Sequence, residues 1–217
     1  MIIRRRAFTL LEMLVASAVF AIVMVSIYSA FRTGLFSRQN IEMTIDTTQT
    51  ARTILEQMNT DLRNAFDYEG MNNASKFTGS ASEVIFLATV DTFRQDSMVR
   101  EPAQVSYTLQ QGASPRENQL LRLCKRGLDA LSNTTETQPE EMTQGVNLQF
   151  KYGYLIPGEE DNGIQFDKDS WGIIDNDIEK KSLPLAVKVA LTLISADGKT
   201  ERPFERTIYL PLARHEP

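Results

Sequence analysis

Chemically reactive side chains are scarce in this sequence. Among its 217 residues there is one histidine, His215, and one cysteine, Cys124. A single histidine next to the C-terminus leaves no His-based triad and no His-rich metal site, and a single cysteine leaves no internal disulfide. A glycine-rich phosphate loop is also missing. The sequence therefore argues against an enzyme, and we interpret Cys124 as a small buried residue in a leucine-rich strand.

Positive charge is limited as well. The chain has 23 Lys and Arg against 28 Asp and Glu, a net charge of −5. An acidic chain lacks the basic surface that nucleic acid requires, so we expect no nucleic acid partner. The arginines at positions 4–6 are an exception, because they directly precede an apolar run. Basic residues at the end of a membrane helix stay on the cytoplasmic side.

That apolar run is long enough to cross a membrane. Residues 13–31 contain no charged side chain, and about 20 apolar residues span a bilayer as a helix. We predict a single membrane-spanning helix over residues 8–31, with the N-terminus in the cytoplasm and the later residues outside. A signal peptide is disfavoured, because its cleavage site follows the apolar segment, whereas the small residues 15–18 lie inside it.

Glu12 is the one carboxylate within this region. A carboxylate in lipid costs about 2.5 kcal/mol or more near the centre and less near the interface. Glu12 therefore either reaches back to the headgroups or has a partner. The order of basic residues, the small Ala7, the sequence FTLLE and a long apolar helix resembles the prepilin leader of type IV pilins and pseudopilins.

The resemblance implies a processing pathway. A prepilin peptidase would cut between Ala7 and Phe8, so that residues 1–7 are a cleaved leader, and the new N-terminal Phe8 would be methylated. Glu12 would become the fifth mature residue, where the family keeps its carboxylate. It could then pair with the Phe8 amine of a neighbouring subunit and set the register between subunits. The family nearly always has Gly where this chain has Ala7.

The helix is predicted to continue beyond the membrane as an amphipathic helix over residues 32–68. Gly34 permits a bend, and Gly70 is a stop signal. We expect one face to cover a sheet of the following domain, with a free coiled coil as the alternative. The apolar stripe, at steps of three and four, consists of Ile41, Ile45, Thr48, Ala51, Leu55, Met58, Leu62 and Ala65.

Residues 69–217 are predicted to form a β-rich domain. Loops are predicted at 91–102 and 133–141, an irregular region at 156–182, and a tight turn at Asp197-Gly198. Leu121 and Leu123 are expected to face inward. The fold class is therefore α+β, one long N-terminal helix packed on antiparallel sheets. Strands are predicted at 83–90, 103–110, 119–126, 146–154, 186–195 and 203–210.

No cofactor is expected, and calcium is kept as an alternative. Asp167, Asp169 and Asp175, with Gly172, partly match a calcium loop. The match is incomplete, because Trp171 and Ile178 occupy positions where that loop needs oxygen ligands.

The C-terminal part narrows the resemblance. An aromatic strand with Tyr152, then Trp171, then Leu183-Pro184 before a long apolar strand, and an end at Leu210-Pro211 are similar to the J-type minor pseudopilins of type II secretion systems. That resemblance implies an inner-membrane protein with a periplasmic domain, placed at the pseudopilus tip. Its partners would be the I-type and K-type minor pseudopilins, the major pseudopilin, the prepilin peptidase and membrane lipid. A minor pilin of a type IV pilus or DNA-uptake filament, and a membrane-anchored enzyme or sensor, are the alternatives.

Overall fold

The computed structural model describes residues 9–67, 77–94, 97–126, 137–155, 163–172, 183–195, 198 and 200–213. The chain divides into two compact units, Met1–Asp46 and Thr47–Pro217. One α-helix, one short 3-10 helix (Pro115–Glu117) and nine strands are found in the described residues. This is the predicted α+β architecture, a long N-terminal helix with antiparallel sheets, and the fold class is confirmed.

The helix α1 extends over Leu10–Arg63, a length of 54 residues. It continues without interruption through Gly34, where a bend was allowed. Its end is set by tertiary contacts, because the next residues pair with a strand: the Phe66 amide donates to the Leu87 carbonyl at 3.0 Å, and the Thr89 amide donates to the Asn64 carbonyl at 3.2 Å. The predicted stop signal Gly70 lies outside the described residues.

The first sheet has five antiparallel strands in the order β1-β2-β3-β4-β5. β1 covers the outer edge of β2 only at Val84 and Ile85. The chain that leaves the helix covers more of the same edge, because Ala65 forms a β-bridge with Ala88. The strands are β1 (Thr78–Gly79), β2 (Glu83–Arg94), β3 (Ser97–Gln110), β4 (Gln119–Arg126) and β5 (Glu140–Gln144).

The second sheet has four antiparallel strands in the order β7-β6-β8-β9. β8 is a central strand. Its residues alternate from Val187 onward, so that Val187, Val189, Leu191 and Leu193 are all buried, as predicted. Gly198, in the connection between β8 and β9, has φ +65°, a conformation that glycine adopts at no steric cost. Asp197, the other residue of the predicted turn, lies outside the described residues. The strands are β6 (Val146–Tyr154), β7 (Gln165–Lys168), β8 (Ala186–Ile194) and β9 (Glu201–Tyr209).

The predicted loop at 91–102 is wrong. β2 and β3 continue as a long hairpin, paired from Glu83↔Thr108 to Arg94↔Ser97. Arg100 Nε contacts Asp91 Oδ1 at 3.0 Å across the two strands, so the charges that indicated a loop are a cross-strand pair. Proline has no backbone N–H to donate to a neighbouring strand. Pro102 is tolerated in β3 because β4 pairs with β3 only as far as Ala103, so no hydrogen bond to β4 is lost.

Four smaller predictions about the strands are also corrected. Residues 140–141 lie in β5, and the region 156–182 contains β7. The inward face of β4 carries the fully buried Leu120, whereas Leu121 and Leu123 are half-buried. This face is chosen by pairing with β3, where Leu120 lies opposite the buried Leu109. Cys124 shares that face and is half-buried against the core, short of the full burial expected.

The core of the second unit lies between α1 and the inner faces of the sheets. The predicted helix stripe is buried from Ala51 onward, with Leu55, Met58, Leu62 and Ala65 at 7% exposure or less. Ile41 and Ile45, in contrast, are 56% and 53% exposed. The buried stripe is therefore shorter than the pattern predicted, and it begins after the boundary of the first unit.

Candidate functional site

The helix start carries the residues to which the sequence assigned function. Thr9 directly precedes α1, and its Oγ1 accepts a hydrogen bond from the Glu12 amide at 3.3 Å. A threonine in this position caps the free amides of the first turn. Glu12 lies in that turn with an exposed side chain, where a carboxylate also interacts favourably with the helix dipole. Ala7 and Phe8, the predicted cleavage and methylation residues, lie outside the described residues.

The first unit exposes a continuous apolar surface. Large side chains from Leu10 to Phe36 are 47% to 84% exposed, among them Phe20 at 61% and Ile22 at 66%. The most apolar window of α1 has a mean hydropathy of 2.5, and none of it is buried inside the protein. By length and composition this helix can cross a membrane. An apolar surface this large requires lipid or another protein to cover it.

Three hydroxyl groups on this segment are hydrogen-bonded within the helix. Ser17, Ser26 and Thr33 donate hydrogen bonds to carbonyl groups three or four residues earlier, at 2.9 to 3.0 Å. A polar group facing lipid has no water to bond with, so internal bonding removes that cost. Charged contacts begin after Phe31, with Arg32 against the Phe36 ring and Arg38 paired to Glu42 at 2.8 Å.

A buried polar cluster fixes the helix on the first sheet in the second unit. Asp61 is only 4% exposed. Its Oδ2 accepts a hydrogen bond from the Tyr107 hydroxyl at 2.6 Å and from Arg122 Nε at 2.9 Å, and Gln57 donates to Oδ1 at 3.2 Å. Sequence analysis missed this cluster, because an aspartate on a polar-looking helix face carries no signal of burial.

Asp61 and Arg122 form a buried ion pair in this cluster. Burial raises the pKa of the Tyr107 hydroxyl, and the neighbouring Asp61 carboxylate raises it further. For Arg122, burial opposes the charged form, but the hydrogen bond and charge of Asp61 outweigh this effect and raise its pKa. Tyr107 is therefore a neutral donor and Arg122 a permanent cation at physiological pH, which suits a structural role.

Tyr152 joins the two sheets. Its hydroxyl donates to the Ser80 carbonyl at 2.9 Å and lies 3.3 Å from the Glu83 carbonyl, next to Gly79, where a side chain would collide with the tyrosine ring. Gly79 and Trp171 exchange backbone hydrogen bonds at 2.9 and 2.8 Å. Burial, and then the Glu83 charge, raise the pKa of Tyr152. The aromatic residues singled out in the sequence therefore hold the sheets together.

The predicted calcium residues are only partly described. The Tyr154 hydroxyl lies 3.4 Å from Asp167 Oδ2, and Lys168 Nζ lies 4.3 Å from the centre of the Tyr154 ring. Asp169 follows with an exposed side chain, and Asp175 lies outside the described residues. Within the described part of the chain, no three His, Cys, Asp or Glu side chains are grouped to hold a metal. The calcium alternative stays a prediction, and a calcium-dependent rise in Tm is its test.

The start of the chain matches a known family. Residues 3–28 match the family described as the prokaryotic N-terminal methylation motif. No curated protein matches the chain at a significant level. The motif supports a pilin-like or pseudopilin-like protein, a structural subunit rather than an enzyme. Together with the exposed apolar helix it supports a membrane-anchored chain that is processed by a prepilin peptidase and assembles with other pilin-like subunits.

Proposed function

We propose that this protein is a minor pseudopilin of J type, placed at the tip of a type II secretion pseudopilus, where it helps to start the filament. One observation carries the proposal: a methylation motif at residues 3–28 leads into a helix that is exposed and apolar at its start but buried from Ala51 onward. A helix of this kind can leave the membrane and pack with sister helices in a filament. Its buried half meanwhile supports a folded domain.

The C-terminal sequence supports the J type over other pilin-like proteins. Tyr152 and Trp171 are 0% and 3% exposed, and Leu183 and Leu210 are each 4% exposed. The core therefore includes four residues of the pattern that resembles J-type pseudopilins, namely Tyr152, Trp171, Leu183 and Leu210. On this proposal the N-terminus is cytoplasmic, the β-rich domain is periplasmic, and the I-type and K-type minor pseudopilins are the direct partners.

Processing is proposed at Ala7-Phe8, with methylation of Phe8. Mass spectrometry of the protein isolated from its host membranes tests this step. We expect a mature chain that begins with N-methylated Phe8. A chain that retains Met1 in a host with active prepilin peptidase would contradict the proposal and favour a simple membrane anchor.

Glu12 is proposed as the assembly carboxylate that pairs with the Phe8 amine of a neighbouring subunit. In a low-dielectric filament core the unpaired carboxylate is disfavoured and the paired one is tolerated, so the pair selects the correct register. We expect Glu12→Leu to insert into the membrane normally and to leave filaments short or absent, measured by fractionation and by electron microscopy. Glu42→Leu, on the same helix beyond the apolar segment, is the matched control. Normal filaments from Glu12→Leu would remove this role.

Co-purification distinguishes the J type from other pilin-like roles, because the motif at residues 3–28 is shared by pilins and pseudopilins. The full chain, extracted in mild detergent, should retain I-type and K-type minor pseudopilins. Retention of type IV pilus subunits in their place would favour a minor pilin. Retention of neither group would contradict the J assignment and leave the pilin-like class unaffected.

A further inference from the structure

A small cavity that is open to solvent lies beside β4, where β5 ends. Glu140 is the first residue of β5 and lies opposite Arg122, so the last residues of β4 continue beyond their β5 partner. Arg122, Cys124 and Arg126 alternate along β4 and therefore share one face. The cavity has a volume of about 370 Å³ and is lined by Arg122, Cys124, Arg126, Thr137, Gln138 and Glu140.

Arg122 is held rigidly at this cavity. Its side chain is 14% exposed, and Nε and Nη2 both lie 2.9 Å from Asp61 Oδ2. The third nitrogen, Nη1, lies 3.9 Å from Glu140 Oε2, which is a charge contact longer than a hydrogen bond. Asp61 thus orients the guanidinium through one side, and Nη1 is directed toward Glu140 on the cavity wall.

The Glu140 side chain is held only weakly at the cavity wall. Its side chain is 74% exposed, so an ion pair at this distance contributes little and is easily exchanged. Arg126 is exposed and also lines the cavity, so a second positively charged side chain borders it. Two arginine side chains at one polar cavity attract a carboxylate. Arg122 can contact that carboxylate through Nη1, because its Nε and Nη2 are already bound to Asp61.

We propose that this cavity binds a carboxylate group, supplied in the assembled state by an acidic side chain of a neighbouring polypeptide. The incoming carboxylate takes the place of Glu140, which turns into solvent, and it contacts Arg122 Nη1 and Arg126. The identity of the donor as a neighbouring subunit rests on the proposed function, whereas binding of a carboxylate to the isolated protein does not.

Cys124 provides the measurement, because it is the only cysteine in the chain and lines the cavity. The full chain in detergent micelles is alkylated with iodoacetamide in sodium glutamate and, separately, in sodium chloride of equal ionic strength. When glutamate equals its dissociation constant, half of the cavities are occupied, so alkylation should slow about two-fold relative to chloride. Equal rates in the two salts throughout the titration would overturn the proposal.

Two variants identify the residues responsible. Arg126→Gln should abolish the protection by glutamate, because it removes the exposed guanidinium without disturbing Asp61. Lys125→Gln is the matched control, since it removes the same charge one residue away on the opposite face of β4. It should retain the protection. Protection that is lost in both variants, or in neither, would contradict a site built by Arg126.

A second arm identifies the source of the carboxylate. In host membranes the Cys124 of the wild-type chain should react more slowly than after detergent extraction, and Arg126→Gln should remove the difference. Protection by glutamate without protection in membranes would overturn the neighbouring-polypeptide source and retain the carboxylate site. If the chain builds no filament at all, the glutamate measurement is unaffected, so the two proposals fail separately.

Discussion

Asp61 illustrates how much one buried side chain contributes in this protein. It accepts hydrogen bonds from β3, β4 and its own helix, and each bond is 3.2 Å or shorter. A buried charge is stable only with partners of this kind. Because Asp61 lies in the last turns of α1, the cluster ties the rotation of that helix segment to the first sheet. The cluster specifies a position more than it adds net stability.

The first prediction concerns this cluster. Asp61→Leu leaves Arg122 buried without its carboxylate, so we expect the free energy of unfolding to fall by about 3–5 kcal/mol. The double variant Asp61→Leu/Arg122→Met should recover most of the loss, because no buried charge remains. Urea unfolding followed by the fluorescence of Trp171, which is 3% exposed, measures both. A double variant no more stable than the single one would show that the ion pair itself carries the stability.

The second prediction compares two glycines with positive φ. A Cβ on Gly172 would lie 2.5 Å from the Phe77 carbonyl oxygen, whereas a Cβ on Gly163 would meet nothing within 4 Å. Gly163→Ala should therefore cost only the backbone strain, about 1–2 kcal/mol. Gly172→Ala should cost clearly more in the same unfolding measurement, because the contact between Phe77 and the segment around Trp171 must open. Equal losses would mean that the Phe77 segment moves aside without cost.

At the scale of elements, α1 divides into two parts with different surroundings. Met58 is fully buried, while Ile45, on the predicted stripe, is 53% exposed. A helix side chain that is covered by its own domain supports folding. One that remains exposed on an apolar face supports contact with lipid or with another chain.

The third prediction separates these roles. Met58→Ala removes a core side chain, so we expect a loss of about 2–5 kcal/mol in the free energy of unfolding. Ile45→Ala should change that free energy by less than about 0.5 kcal/mol, as surface substitutions do, and should reduce the yield of filaments. Filament yield is measured by shearing and sedimentation. A large loss of stability in Ile45→Ala would show that Ile45 belongs to the core.

The elements predicted from sequence were those with a clear period. The apolar residues of β6 and β8 alternate along most of each strand, and the helix stripe from Ala51 to Ala65 repeats at three and four. Burial on one side therefore determines these elements. The charged outer halves of β2 and β3 indicate a loop, so the sequence predicts both strands too short. The pairing of Asp91 with Arg100 makes those charges compatible with strands. The inward side of β4 depends on its register with β3, which a run of leucines does not encode.

At the scale of the whole molecule, two buried tyrosines lower the free energy of unfolding as the pH becomes alkaline. The pKa values of Tyr107 and Tyr152 are both raised, mainly by burial. Below the ordinary tyrosine pKa of 10.0, the folded and unfolded chains both keep these protons. Above it the unfolded chain ionises while the folded chain does not, so stability falls as the pH rises.

The fourth prediction follows from this difference. Above pH 10 each buried tyrosine should lower the free energy of unfolding by about 1.4 kcal/mol per pH unit. In Tyr107→Phe/Tyr152→Phe the profile should be flatter in that range, although the variant starts from a lower stability because it loses two hydroxyl hydrogen bonds. Urea unfolding at a series of pH values from 8 upward measures the slope. An unchanged slope in the double variant would assign the alkaline loss to other groups.

The sequence by itself determined the methylation motif at residues 3–28, an apolar helix of membrane length and a β-rich fold, because these depend on order and periodicity along the chain. Tertiary structure alone decided which parts of the helix stripe are buried, where the helix ends, which face of β4 points inward and that Asp61 is a core residue. Each of these depends on contacts between residues far apart in sequence. Periodicity along the chain shows that one face of a helix or strand is apolar. Whether that face lies in the core or remains exposed is decided by the elements that pack against it.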